Sequence, residues 1–347
     1  MLFKCAPHAP AADHGGSIVA RKGNKSRIVD IHCHRECKRA DDFMKVPAFP
    51  VGSAITREVN RQQMADIRPH MESVDKRLAD MDRMGVDIQA VSVAPYQYYY
   101  AAEAEAARVA ACTINDDIAD LVGDHPDRFV GIGTLPLQNT EMAVTEMRRG
   151  VRDLGLRGIE IGTHVNGEEL SSLRLAPIWA LAEELDVIVF IHPSGATHPQ
   201  RLGEHYLANL VGNPLESTLA VSHLIFEGVM ERHSGLKVVV AHGGGFLAAY
   251  PGRMDHGYHA RRDVSENLPK PPSEYLKRFY FDTMVFEPDQ LDWLIRKYGS
   301  DHILLGTDYP FDMGEDDPRG LIGRVEGLDE AEIAAISGGN AARLLKL

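Results

Sequence analysis

From about residue 27 to the C-terminus, short apolar runs alternate with stretches of helical periodicity. The runs at 27–34, 86–94, 129–135, 158–162, 187–193, 237–242, 278–283 and 302–308 are of strand length, and most are bounded by Gly, Pro or charged residues. Between them, Ser73 reads as an N-cap, with Val74, Leu78 and Met81 following at helical spacing. The stretches 101–122, 140–154, 175–185, 215–231 and 288–298 show the same amphipathic pattern. Strand–helix alternation implies a parallel sheet covered by helices. Eight such units predict an α/β protein with a closed (β/α)8 TIM barrel, a fold of roughly 250 residues before insertions. A doubly wound open sheet is the competing fold, but no Gly-x-Gly-x-x-Gly follows the first strand. Residues 1–26 lack periodicity and read as an N-terminal arm; 27–347 read as a single barrel domain. Long polar insertions are expected after strand one (35–70) and strand six (250–277), at the barrel end where substrate pockets are built.

Composition adds exclusions. With 44% hydrophobic and 25% charged residues among 347, the chain has the make-up of a globular protein with a large core. The net charge of −13 argues against a nucleic-acid partner, which would require a basic face. Four cysteines, Cys5, Cys33, Cys37 and Cys112, form no disulfide framework, so a reducing cytoplasm is expected. No second cysteine pair joins Cys33 and Cys37 to complete a zinc knuckle. Neither a signal-like apolar run nor an 18-residue apolar span occurs, so no membrane role is expected.

The candidate chemistry lies where the strands end. Strand one closes on His32-Cys33-His34; residues two apart on a strand share a face, so both imidazoles enter the barrel mouth. Strand five ends in His192, strand six in His242 before Gly243-Gly244-Gly245, and strand eight in Asp308. A lone His-x-His is weak evidence, but four apolar runs ending in metal-capable side chains at one rim point to a divalent ion. Imidazole ligands favour zinc, iron, nickel or cobalt over magnesium or calcium. His223, His233, His256, His259 and His302 fall on helices, loops or a strand start and read as solvated or structural. A structural zinc site would be closed and usually rich in cysteine; imidazole and carboxylate at a barrel mouth suit catalysis.

These residues carry a resemblance to the amidohydrolase superfamily, in its branch of aromatic-acid and aminocarboxymuconate-semialdehyde decarboxylases. The similar stretch runs from about Arg27 to Leu347, with its most specific motifs at 242–246, 252–255, 271–275, 278–283 and 305–311. The resemblance implies the metal ligands His32, His34, His192 and Asp308, and a catalytic pair of His242, as base, and Asp308. It also implies that Arg253 grips a substrate carboxylate across a homodimer or larger homo-oligomer. Strand four carries no lysine, so one ion is expected rather than two; zinc comes first, with manganese, iron or cobalt as alternatives. Arg35, Lys38, Arg61 and Arg68 are further candidate clamps, since arginine forks match carboxylates. The expected activity is non-oxidative decarboxylation of a small unsaturated or aromatic acid. The alternative is a metal-dependent hydrolase or hydratase acting on a ring-cleavage product or lactone. The residues after His34 and His192 depart from the branch's apolar and aromatic pattern, so the substrate does not carry over.

Overall fold

The computed structural model describes residues 27–44, 52–195 and 199–347; the expected arm lies outside these. Eight parallel strands follow one another in chain order: β1 (Val29–Arg35), β2 (Ile88–Val93), β3 (Phe129–Gly133), β4 (Gly158–Ile161), β5 (Ile188–Ile191), β6 (Lys237–Val240), β7 (Tyr280–Asp282) and β8 (Ile303–Leu304). The chain after β8 returns to β1 and closes the sheet. Ile31 N donates to the Leu305 carbonyl at 2.9 Å, Asp308 N to that of His32 at 2.8 Å, and His34 N to that of Tyr309 at 2.7 Å. Each expected strand is present, and most are shorter than their apolar runs because pairing stops where the chain turns at the rim.

The main helices are α1 (Lys38–Met44), α2 (Ala54–Glu72), α3 (Val74–Met84), α4 (Ala104–Asp124), α5 (Thr140–Arg152), α6 (Ala176–Leu185), α7 (Asn213–Phe226), α8 (Pro251–Ala260) and α9 (Pro288–Tyr298). Ser73 is the expected N-cap of α3, its hydroxyl accepting from Lys76 N at 3.4 Å. The single helix expected over 215–231 is two: Gly228, at φ 70°, breaks it after α7, and Val229–Arg232 resumes as one turn. The insertion after strand one is not a polar loop, since α1 and α2 occupy much of it. Met64, Ile67 and Met71 recur at helical spacing along α2, and they pack with Ala94, Tyr96 and Phe311.

Inward and outward positions separate cleanly. Val29, Ile31, Ile88, Ala90, Phe190 and Val239 share the buried interior, plugged from below by Leu344 and Leu345. Cys33 and Val91 pack outward against Met81 and Met84 of α3. Regular alternation from Val29 and Ile31 would send His32 outward with Asp30, and Cys33 inward. A β-bulge prevents it: Asp30 pairs with Gln89 and Cys33 with Val91, leaving two β1 residues opposite one on β2. The extra residue shifts the phase, so His32 and His34 continue the interior face begun by Val29 and Ile31.

On the outer side, fully buried Arg77 of α3 fixes this stretch. Its Nη1 donates to Gln89 Oε1 at 3.0 Å, its Nη2 to the His34 carbonyl, and its guanidinium lies 4.8 Å from the centre of the Tyr309 ring. Replacing Arg77 by Met leaves that carbonyl and the Gln89 oxygen without this donor in a dry environment. Arg77→Met is therefore expected to cost about 2–3 kcal/mol, read as a lower urea midpoint at unchanged slope.

Candidate metal centre

His32 and His34 on β1, His192 just past β5 and Asp308 past β8 meet inside the barrel mouth. One ligand-capable atom from each lies within 4.8 Å of the others, and all four residues are buried. The remaining ring nitrogens fix the tautomers. His32 Nδ1 faces Asp282 Oδ2 at 2.6 Å, His34 Nδ1 the Val93 carbonyl at 3.1 Å, and His192 Nδ1 the Pro193 carbonyl at 2.8 Å. Each partner is an acceptor, so each Nδ1 carries the proton and each Nε2 presents a lone pair. His32 Nε2 and His34 Nε2 stand 3.1 Å apart, with Asp308 Oδ1 3.3 and 3.2 Å from them. His192 Nε2 and Asp308 Oδ1 are buried without a hydrogen-bond partner. Four acceptors thus converge with no donor among them, and a divalent cation satisfies all four together.

Protonation answers the same electrostatics. Burial opposes a charge on His32, but Asp308 and Asp282 outweigh it and push its pKa up to about 10. Burial also works to raise Asp308, yet the neighbouring histidines hold it well below the usual carboxylate range. His192 is driven well below the usual imidazole value by burial and the flanking histidines. A centre that must otherwise hold a proton on one imidazole is one where a cation competes for the same place.

His242 stands beside the cluster, its ring centroid 5.0 Å from that of His192 and its Nε2 3.5 Å from Asp308 Oδ2. Val239 and Ala241 face inward, so alternation would turn His242 outward. It adopts φ 57° instead, which swings the ring into the mouth. The three glycines that follow keep this left-handed turn tolerable: a Cβ on Gly244 would fall 2.5 Å from the Phe281 ring, and one on Gly245 2.3 Å from the Pro214 carbonyl oxygen.

The expected clamp residues are placed differently from one another. Arg35 points away from His34, its Nε 2.8 Å from Asp117 on α4, so it serves the contact between barrel and helix. Arg61 is exposed and bound to Glu58 one helical turn away; Lys38 is exposed on α1. Arg68 lies 3.6 Å from Glu36, a buried carboxyl just beyond β1. Arg253 is exposed at the edge of a cavity of about 550 Å³ with Tyr250, His256, Trp293 and Lys297. Three residues of the site went unassigned in the sequence. Asp282 ends an apolar strand just as the ligands do, a signal that was present. Glu160, buried on β4, accepts from the Tyr98 hydroxyl at 2.7 Å and reaches within 4.0 Å of His34 Nδ1. Phe311 meets the His34 ring at 5.4 Å.

The barrel has known counterparts. The Amidohydrolase family model matches residues 29–347. The 2-amino-3-carboxymuconate-6-semialdehyde decarboxylase of Dictyostelium discoideum is 40% identical over 274 residues, covering 79% of this chain and 76% of that protein. The chain belongs to the amidohydrolase family. Among solved structures, the 5-carboxyvanillate decarboxylase of Sphingomonas paucimobilis superimposes with a TM-score of 0.83 at 24% identity, over 93% of this chain and 100% of that one. The dihydroxybenzoic acid decarboxylase of Polaromonas, solved with manganese and 2-nitroresorcinol, gives 0.81 at 23% identity, over 93% and 98%.

Elemental analysis of the purified protein is expected to find one divalent ion per chain. Asp308→Ala, which removes a ligand shared by the whole cluster, should lower the bound metal to background while circular dichroism still reports a folded barrel.

Proposed function

We propose that this chain is a metal-dependent, non-oxidative decarboxylase of a small unsaturated or aromatic carboxylic acid, with His32, His34, His192 and Asp308 as ligands of a single ion. Zinc is our first choice for that ion, with manganese, the metal in the Polaromonas enzyme's structure, next. The observation that carries the reading is the acceptor-only cluster with a second, proton-competent histidine beside it, in a chain 40% identical to a decarboxylase. When bound, the ion acts as a Lewis acid that draws electron density from an oxygen next to the reacting carbon.

The chain's own side chains supply the rest. His242 is the group placed to move a proton: its Nε2 faces Asp308 Oδ2 and its Nδ1 is buried without a hydrogen-bond partner. Protonated, it delivers the proton to the carbon that bears the carboxylate; the C–C bond then breaks, its electron pair stays with the carbon skeleton, and CO2 leaves. Asp308 keeps the imidazole oriented and stabilises its charged form. Phe311 and Tyr96, with the apolar face of α2, offer a flat wall against which a conjugated ring can lie.

Arg253 and Arg68 are the cations we assign to the substrate carboxylate. Arg253 makes no ion pair among the described residues, and exposed Phe246 and Tyr250 lie close to it in the chain. We read that surface as the face of a homodimer, with Arg253 serving the neighbouring subunit. Among the described residues Cys33, Cys37 and Cys112 are free thiols, which suit a reducing compartment, and we place the protein in the cytoplasm. No described helix is long and apolar enough to cross a membrane.

Assay with 2-amino-3-carboxymuconate-6-semialdehyde and with 2,6-dihydroxybenzoate should release CO2 with no oxygen from labelled water in the product; label uptake without CO2 would establish a hydrolase or hydratase instead. His242→Ala is expected to keep its metal and lose roughly 10²–10⁴-fold in kcat; near-normal turnover would remove His242 from the mechanism. Mixing Arg253→Ala with His242→Ala protein under conditions of subunit exchange should restore activity, because one site in each mixed dimer then has both residues.

A further inference from the structure

Asp282 ends β7 fully buried, and it accepts hydrogen bonds from two parts of the site at once. Its Oδ2 takes His32 Nδ1 at 2.6 Å and the backbone N–H of His242 at 3.0 Å. Its Oδ1 takes the N–H of Gly243 at 2.7 Å and of Met284 at 3.2 Å. The first bond settles which nitrogen of His32 faces the metal, because a proton held on Nδ1 leaves Nε2 as the ligand. The bonds to residues 242 and 243 anchor the left-handed turn, with φ 57° at His242 and 61° at Gly243, that swings the His242 ring inward. A non-glycine residue in that region is strained and needs fixed partners to persist.

We propose that Asp282 is a positioning residue that couples the metal ligand His32 to the proton carrier His242, so that one carboxylate sets both the tautomer of the first and the backbone turn of the second. The inference rests on the metal reading of the site and not on the choice of substrate. Its physical content is that neither oxygen can be replaced by a donor. An amide in place of the carboxylate presents NH2 either to His32 Nδ1 and His242 N or to Gly243 N and Met284 N. In the first orientation His32 can accept only by carrying its proton on Nε2, the atom that faces the metal. In the second, the N–H groups of Gly243 and Met284 lose their acceptor.

Asp282→Asn is the near-isosteric test. Titration of the metal-free variant with zinc should give a Kd weaker than wild type by roughly 10–100-fold, the range for lost carboxylate–histidine support. At saturating zinc, kcat should remain at least tenfold down while KM changes less than threefold, since His242 is displaced but the substrate clamp is not. In zinc-loaded wild type, nitrogen NMR of 15N-histidine-labelled protein should place the His32 proton on Nδ1, and the signal should move or vanish in the variant. A folded variant with wild-type Kd and kcat would overturn the proposal. So would a wild-type spectrum with the His32 proton on Nε2, and that measurement decides the matter alone if the variant does not fold. Failure of the wild type to bind any divalent metal would overturn the proposal together with the metal reading. Absence of decarboxylation alone would touch only the function assigned above.

Discussion

The centre of this protein depends on one electrostatic constraint: three imidazole nitrogens and a carboxylate oxygen, all acceptors, are held within a few ångströms of one another in a buried space. Such an arrangement is unfavourable unless a positive charge lies among them. Its orientation is enforced from outside, because each imidazole gives its Nδ1–H to a fixed oxygen, those of Asp282, Val93 and Pro193. Two of these oxygens are backbone carbonyls at or just beyond strand ends, so the barrel itself dictates the direction of the lone pairs. A cation is therefore the natural complement of the fold rather than an accessory to it.

Delivering those side chains to the interior required two departures from regular strand geometry. The bulge on β1 changes which residues face inward just before His32, and the left-handed turn after β6 does the same at His242. Both are local distortions that a lone strand would not keep. They persist because neighbouring elements hold them: Arg77 on the outer side of β1, and Asp282 together with the packing around Gly243–Gly245 on β6 and β7. Stability and function are thus tied to the same contacts, and backbone irregularity collects where the chemistry is placed.

The mouth has a different character. Glu36 and Asp41 sit near Tyr96 and Tyr99, and the Tyr99 hydroxyl and the Gln97 amide both donate to Asp41, at 2.5 and 2.8 Å. Burial first, and then the neighbouring Asp41 carboxyl, push the Glu36 pKa up to about 7. Here the chain also departs from the apolar pattern that its resemblance implied after His34.

The sequence alone determined the fold and the composition of the centre. Strand-length apolar runs spaced by amphipathic helices leave little but a barrel, and a strand that ends in a metal-capable side chain puts that side chain at the rim whatever the details. His32, His34, His192, His242 and Asp308 were legible for that reason. Tertiary structure decided everything that depends on which way a side chain turns and what it meets. The phase shift at the β1 bulge has no local signature, since it arises from pairing with β2. Arg35 read as a clamp until Asp117, 82 positions away, claimed it. Asp282 drew no assignment, because its meaning lies in a bond to His32 across 250 residues of chain. Sequence periodicity reports burial, which is averaged over a face; hydrogen-bond partners are set by distances of a few tenths of an ångström between elements far apart in the chain, and only the closed barrel fixes those.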